Sequence, residues 1–204
     1  MQLKFGAADV RLLDDDEVFS GYYRVRRLTL EHRAFAGGWA DPITRELFER
    51  GDAVGVLPWD VERDELVLIE QFRVGAMRGD ASPWMFEIVA GIVEPGESDD
   101  EVARRETAEE SGLALLDLAP SVSFFPSPGA CSEHVRLFVG RVDAAAAGGL
   151  HGCADEGEDI RVHRLPREDV MAMVDANQIS NGHTLMSLLW LRVHGDALRQ
   201  RWLG

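Results

Sequence analysis

The sequence has few basic residues, only two cysteines, and no apolar run long enough to span a membrane. Its 204 residues include 21 lysines and arginines against 36 aspartates and glutamates, so the formal net charge is −15 at pH 7. Because wrapping nucleic acid requires a basic surface, this balance argues against such a partner, and it also disfavours an anionic membrane. The N-terminus lacks the basic start and apolar centre of a signal peptide. We therefore expect neither nucleic acid nor membrane as a partner.

The scarcity of cysteine argues against a disulfide framework. Cys131 and Cys153 lie in different segments and match no zinc-site spacing, so we interpret both as thiols in a reducing cytoplasm. The six histidines likewise form no ligand spacing. The length suits one domain, or one domain with a small appendage, and 46% hydrophobic residues are enough for a sizeable core.

What the sequence does contain is an acid-rich stretch at residues 91–113, GIVEPGESDDEVARRETAEESGL. Ser98 and Glu101 have the S-x-x-E spacing of a capping box, which predicts a helix that begins near Ser98. Gly112 suits the left-handed residue that ends a helix. Three carboxylates then project from one side of the helix, at spacings of three and four residues: Glu106, Glu109 and Glu110.

These carboxylates repel one another at helical spacing, and an acidic helix is most often a solvated face. Two features favour a functional interpretation instead. A glycine-containing loop precedes the helix and allows backbone to approach a ligand closely. A cluster of carboxylate oxygens is also what Mg²⁺ binds, usually with water and a substrate phosphate completing its octahedron. We therefore interpret the helix as one wall of a Mg²⁺ site.

The stretch resembles the Nudix box, G-x5-E-x7-R-E-U-x-E-E-x-G-U, in which U is apolar. Every fixed position is filled, namely by Gly91, Glu97, Arg105, Glu106, Glu109, Glu110 and Gly112. The departure is Thr107 in place of an aliphatic residue, which concerns packing beneath the helix rather than metal binding. The resemblance implies an α/β fold, a mixed-sheet α/β/α sandwich with a small N-terminal antiparallel β domain. It also implies hydrolysis of a nucleoside diphosphate linked to another moiety.

A second segment, FFPSPGACSE at residues 124–133, narrows this resemblance. Pro128 lies 16 residues beyond Gly112, and the PSPG-x-x-SE string is similar to that of the ADP-ribose pyrophosphatase branch of the superfamily. The branch implies hydrolysis of ADP-ribose to AMP and ribose 5-phosphate by a homodimer. It also implies two or three Mg²⁺ ions as cofactors, with Mn²⁺ as a substitute, and Pro128 in a specificity loop.

Two alternatives stay open. One is another nucleotide-sugar substrate such as GDP-mannose, since close relatives share the scaffold. The other is a catalytically silent Nudix domain that binds ADP-ribose without cleaving it. A silent domain would be expected to lose carboxylates of the box or to carry a DNA-binding extension, and this chain has neither feature.

The resemblance implies roles for particular residues. Five residues would hold the metals: Ala90, through its carbonyl oxygen, and Glu106, Glu109, Glu110 and Glu158. The general base would lie in the acidic loop ADEGED at 154–159. There Glu156 aligns with the base and Glu158 with a metal-contacting glutamate, although their order stays open. Glu97 and Arg105 would pair and brace the loop before the helix.

Substrate contacts are implied as well. Arg45 and Arg73 would contact the phosphates or the terminal ribose, for which a guanidinium offers a planar, bidentate fork. Tyr22 or Tyr23 would stack on the adenine that is bound in the site of the partner subunit. Residues 1–50 are strand-like but too small to bury a core, so we expect a dimerising, domain-swapped β segment followed by a Nudix hydrolase domain at 51–204.

The remaining pattern predicts the elements around the box. Strands are expected at 53–59, 65–74, 84–91, 113–125, 134–143 and 160–165. Helices are expected from Pro166 through Ala176 and over 183–202. Residues 32–51 are typical of two strands joined at a Gly-Gly turn, and 144–159 of a long loop rich in alanine, glycine and acid.

Overall fold

The computed structural model describes residues 2–78, 82–153 and 157–204. The chain divides into two compact units. The first consists of Met1–Asp52 together with Phe125–His134, and the second of Ala53–Phe124 together with Val135–Gly204. Within the described ranges, no helix is both long enough and apolar enough to cross a membrane.

The first unit is built on a three-stranded antiparallel sheet in the order β1-β2-β3. Its strands are β1 (Val10–Ser20), β2 (Arg24–His32) and β3 (Ile43–Glu49). Strand β1 was not predicted, because all its side chains are exposed and show no buried alternation. Ion pairs connect β1 with β2. Arg26 on β2 pairs with Asp15 in the acidic run of β1, and Arg11 on β1 pairs with Glu31 on β2.

The predicted Gly-Gly turn is present, but the strands around it are shorter than predicted. Strand β2 ends at His32, and β3 begins only at Ile43. Between them Gly37 and Gly38 adopt φ values of +102° and +73°, a left-handed conformation that favours glycine. The turn is closed by a single antiparallel bridge between Arg33 and Trp39.

The PSPG segment belongs to this first unit. The amide of Phe48 on β3 donates to the Ala130 carbonyl at 2.7 Å, and the Phe48 carbonyl accepts from the Ser132 amide at 3.1 Å. Pro128 lies in the turn just before the residues that pair with Phe48. The amides of Ala130 and Cys131 donate to the Ser127 carbonyl and close this turn.

The second unit contains a mixed sheet of eight strands. The main path runs β10-β11-β5-β4-β9-β8, while β6 pairs with β5 and β7 with β4; only β4 and β9 run parallel among the described pairs. The strands are β4 (Ala53–Asp60), β5 (Glu65–Phe72), β6 (Trp84–Glu87), β7 (Val89–Ile92), β8 (Asp117–Phe124), β9 (Val135–Arg141), β10 (Gly149–His151) and β11 (Ile160–Pro166). The helices are α1 (Asp99–Ser111), α2 (Arg167–Asp175) and α3 (Gly182–Leu203).

Apolar side chains alternate between two cores on either face of this sheet. On β4, Leu57 and Trp59 enter the core that contains residues of α2 and α3. Val54 and Val56 enter the other core, which contains residues of α1. A strand buried on both faces reads as a continuous apolar run, which is why β4 was recognisable in the sequence. The predicted α/β/α sandwich with an N-terminal antiparallel sheet is confirmed.

Three predicted elements need correction. The run at 113–125 forms a strand only over Asp117–Phe124. The run at 84–91 is not one strand but two, because β6 pairs with β5 and β7 pairs with β4, with Ile88 between them. The predicted loop at 144–159 contains strand β10, whose residues pair with β11. Three residues with two glycines nearby carry too little apolar pattern to be recognised as a strand from sequence.

Candidate active site

Helix α1 begins and ends where the sequence predicts. Ser98 is the N-cap, since its hydroxyl accepts from the Glu101 amide while the Glu101 carboxylate accepts from the Ser98 amide at 2.8 Å. Gly112 closes the helix with φ +69°, a left-handed conformation. This capping fixes the position at which the acidic residues of the helix meet the preceding loop.

Glu106 lies directly against the backbone of the loop that precedes α1. A β-carbon built on Gly91 would be 1.7 Å from Glu106 Oε1, so any side chain at residue 91 would displace the carboxylate. Burial raises the pKa of the Glu106 carboxyl, against the opposing effect of Arg105. The glycine of the motif is therefore explained by close approach of a carboxylate to backbone.

Glu110 is the most buried of the three helix carboxylates, with 2% of its surface exposed. Its Oε2 accepts a hydrogen bond from the Ala90 amide at 3.0 Å. Burial raises the pKa of this carboxyl to about 9, and the charges of Glu106 and Glu158 add to the effect. In the absence of a cation, Glu110 is therefore protonated at neutral pH.

Arg105 braces the loop and the helix together. It donates to both oxygens of Glu97 at 3.0 Å, to Glu106 at 2.6 Å and to Glu109 at 3.3 Å. The bonds to Glu97 do most to raise the pKa of the Arg105 guanidinium. The predicted pairing of Glu97 with Arg105 is thus present. Glu109 is more exposed than Glu106 and Glu110, with 41% of its side chain accessible to solvent.

Thr107 occupies the position where the motif has an aliphatic residue. It is fully buried, and its hydroxyl donates to the Ala103 carbonyl at 2.7 Å. Ser111 repeats this bond one turn later, to the Thr107 carbonyl at 2.5 Å. Because the hydroxyl is satisfied by the helix itself, the polar substitution is accommodated in the core.

Arg73 is held by a buried carboxylate that sequence reasoning missed. Its Nε and Nη2 donate to Glu87 at 2.8–3.1 Å, and Glu87 also accepts from the buried Gln71 at 3.3 Å. Only 4% of the Glu87 side chain is exposed, against 43% for Arg73. An acidic residue inside the apolar run of β6 was the available signal, since a buried carboxylate requires a partner.

Glu158 lies close enough to act on the carboxylates of α1. It contributes to the raised pKa values of Glu106 and Glu110. Its Oε2 accepts from the Cys153 amide at 3.1 Å, and its own amide donates to the Cys153 carbonyl at 3.2 Å. Glu156, the other predicted carboxylate of this loop, lies outside the described residues.

In the described part of the chain, no three histidine, cysteine or acidic side chains form a ready-made metal cluster. The donors nevertheless fit a hard divalent cation. Glu106 and Glu110 both reach the backbone at residues 90 and 91, and the charge of Glu158 acts on both carboxyls. Oxygen ligands are what Mg²⁺ prefers, and a cation would relieve the mutual repulsion.

Four predicted site residues lie in the first unit. Tyr22 is 86% exposed and packs edge-on against Tyr23, which in turn packs against Phe48. Arg45 is exposed on β3, and its Nη1 donates to the Thr44 carbonyl at 2.8 Å. Pro128 lies in the turn described above. Their predicted contacts with substrate stay predictions.

A strand and a braced loop that lead into a helix with inward carboxylates are the defining motif of the Nudix class, and the chain belongs to the NUDIX domain family, whose model matches residues 49–185. It is 43% identical over 202 residues to the "ADP-ribose pyrophosphatase" of Escherichia coli (strain K12), a match that covers 99% of this chain and 97% of the relative. The predicted family is therefore confirmed.

Two further comparisons are more distant. The chain is 28% identical over 188 residues to the "GDP-mannose pyrophosphatase" of Enterobacter sp. (strain 638), covering 91% of this chain and 96% of the relative. A solved structure described as "Crystal structure of ADP compounds hydrolase" superposes with a TM-score of 0.67 at 23% identity, covering 92% of this chain and 96% of the other. At that identity the structural match shows the fold.

Proposed function

We propose that the protein hydrolyses the diphosphate of ADP-ribose to AMP and ribose 5-phosphate in a Mg²⁺-dependent reaction. The observation that carries this proposal is the approach of Glu106 and Glu110 to the backbone at residues 90 and 91. It is supported by 43% identity along nearly the whole chain to a protein named ADP-ribose pyrophosphatase.

The residues that would hold two or three Mg²⁺ ions, or Mn²⁺ in their place, are Glu106, Glu110 and Glu158, with Glu109 assisting and the Ala90 carbonyl as a backbone ligand. Such ions, when bound, neutralise the diphosphate and lower the pKa of water. Arg105 would hold Glu97 and Glu106 in place when metal ions bind and change the charge of the carboxylate cluster. Gly91 keeps the space that Glu106 requires.

Chain residues would then bind the substrate and move the proton. Glu156 would accept the proton as water attacks phosphorus, and Glu158 is the alternative base. Arg73 would contact a phosphate oxygen through Nη1, because Glu87 engages Nε and Nη2 and so fixes the guanidinium plane. Arg45 would contact the substrate's phosphates or terminal ribose.

The protein would act as a cytoplasmic homodimer. Strand β1 supports this proposal, since it exposes several large apolar side chains that a partner subunit would cover: Leu12, Leu13, Val18 and Phe19. Tyr22 or Tyr23 would stack on the adenine bound by the partner subunit. The turn at Pro128 would contribute to substrate specificity.

The test is a hydrolysis panel with ADP-ribose, GDP-mannose, NADH and diadenosine polyphosphates at saturating Mg²⁺. We expect the highest kcat/KM for ADP-ribose. The 28% identity to a GDP-mannose pyrophosphatase makes GDP-mannose the competing substrate, and a higher kcat/KM for it would replace the proposal. Binding of ADP-ribose without turnover, measured by calorimetry, would instead indicate a silent binding domain.

A further inference from the structure

His151 packs against the residue that ends the carboxylate helix. A β-carbon on Gly112 would be 2.6 Å from His151 Cε1, so the imidazole occupies the space that a side chain at residue 112 would need. Gly112 also has a φ of +69°, which disfavours any other residue. The ring therefore contacts the end of α1 directly, two residues beyond Glu110.

The position of the His151 ring is fixed from its own strand as well. Its Nε2 donates to the Gly148 carbonyl at 2.9 Å, and because a carbonyl can only accept, Nε2 carries the proton. The backbone of β10 is paired with β11, with His151 opposite Ile160. The imidazole thus joins an anchored strand to the end of α1.

The two residues that follow His151 both contact Glu158. Gly152 has a φ of +102°, and a β-carbon there would be 2.8 Å from Glu158 Cβ. Cys153 then exchanges hydrogen bonds with Glu158, through its amide to Oε2 and through its carbonyl to the Glu158 amide. Contacts between described residues therefore run without interruption from Gly112 through His151 to Glu158.

We propose that His151 is a positioning residue that holds Glu158 beside the carboxylates of α1. The inference rests on the proposed function, in which Glu158 serves the metal site. Glu158 is repelled by the charge of Glu106 before a cation binds, so an anchor on the adjoining strand opposes its outward movement. His151 itself touches neither substrate nor cation in this account.

The test is a double-mutant cycle between His151→Ala and Glu158→Gln. Mn²⁺ affinity is measured by electron paramagnetic resonance without substrate, and kcat and KM are measured with ADP-ribose. We expect His151→Ala to weaken Mn²⁺ binding and lower kcat about tenfold, as typically follows loss of a residue that orients a metal ligand, with KM less affected. In the Glu158→Gln background, His151→Ala should cause no further loss.

Independent, additive losses in the double variant would overturn the proposal, as would unchanged Mn²⁺ affinity in His151→Ala. His163→Ala is the matched control, because His163 is also half-buried and hydrogen-bonded, to Glu70 at 2.8 Å. It should leave Mn²⁺ affinity unchanged; an equal loss there would indicate general loosening of the sheet and would also overturn the proposal.

Two precautions keep the outcome decisive. If circular dichroism shows that His151→Ala does not fold, the same cycle is run with His151→Phe, which keeps a ring against Gly112 but loses the bond to Gly148. If the wild-type protein binds Mn²⁺ but cleaves no ADP-ribose, the proposed function fails. The Mn²⁺ arm of the cycle then still decides the role of His151.

Discussion

The Glu106 carboxylate lies so close to Gly91 that a β-carbon on the glycine would be 1.7 Å from Glu106 Oε1. Gly91→Ala should therefore push Glu106 away from the loop and lower kcat for ADP-ribose by about 10²-fold, the cost expected of a misplaced reacting geometry. Gly75→Ala is the control, because a β-carbon at Gly75 meets nothing within 4 Å. Equal activity of the two variants would contradict the close-approach account.

Replacing either inward carboxylate by its amide should separate activity from stability. Glu106→Gln and Glu110→Gln should each nearly abolish turnover, because a lost ligand charge removes several kcal/mol of transition-state stabilisation. Glu110→Gln should make the metal-free protein more stable than the wild type at pH 7, since the wild-type carboxyl must take up a proton to fold at that pH, whereas the amide does not titrate and its oxygen can still accept from Ala90. Urea denaturation in EDTA and steady-state assays measure the two effects. Turnover like the wild type at saturating Mg²⁺ would exclude these residues as ligands.

The stability of the metal-free protein should fall with rising pH. The folded pKa of Glu110 is about 9, above the ordinary value of 4.5, so its contribution to stability is full below 4.5 and is lost as the pH rises towards 9. The slope from this group is at most about 1.4 kcal/mol per pH unit. Urea melts in EDTA between pH 6 and 9 should show the decline, and Glu110→Gln should flatten it. Equal slopes in the two proteins would contradict the assignment.

The buried Glu87 should act on substrate binding through Arg73. Glu87→Gln removes the charge that holds Nε and Nη2, so the guanidinium loses its fixed plane. We expect KM for ADP-ribose to rise more than kcat falls, and stability to drop by about 1–3 kcal/mol for the disrupted buried pair. Steady-state kinetics and urea melts report both quantities. A fall in kcat at unchanged KM would show that Arg73 does not bind the ground-state substrate.

Mixed dimers test whether each site takes its aromatic residue from the other subunit. A Tyr22→Ala/Tyr23→Ala chain is unfolded and refolded together with a Glu106→Gln chain. If the tyrosines serve the partner's site, the mixed dimer regains one working site, because the double-alanine chain supplies Glu106 and its partner supplies the tyrosines. No recovery in verified mixed dimers, or full activity of a monomer by sedimentation and assay, would contradict the composite site.

The elements that could be predicted are those whose sequence signals lie within the element itself. The capping residues Ser98 and Glu101 and the closing Gly112 lie within one helix, so the bounds of α1 followed from sequence. Strand β4 was recognisable from its unbroken apolar run. Strand β1 has no buried face, and β10 has only three residues, so neither carries the periodicity on which such prediction depends.

The same distinction between local and distant signals applies to the candidate site. The pairing of Glu97 with Arg105 and the inward position of Glu106 and Glu110 could be inferred from one motif. The partner of Arg73 could not, because Glu87 meets it only through the pairing of β6 with β5. The contact of His151 with Gly112 could not be predicted either, because it joins segments 39 residues apart in the chain.

The most direct test of the central claim is ³¹P NMR of ADP-ribose incubated with the protein and Mg²⁺, with Glu106→Gln assayed in parallel. Two phosphomonoesters should replace the diphosphate resonances, AMP and ribose 5-phosphate in equal amounts, and the Glu106→Gln sample should stay nearly unchanged. Persistence of the diphosphate in the wild-type sample, or equal cleavage in both samples, would contradict the account.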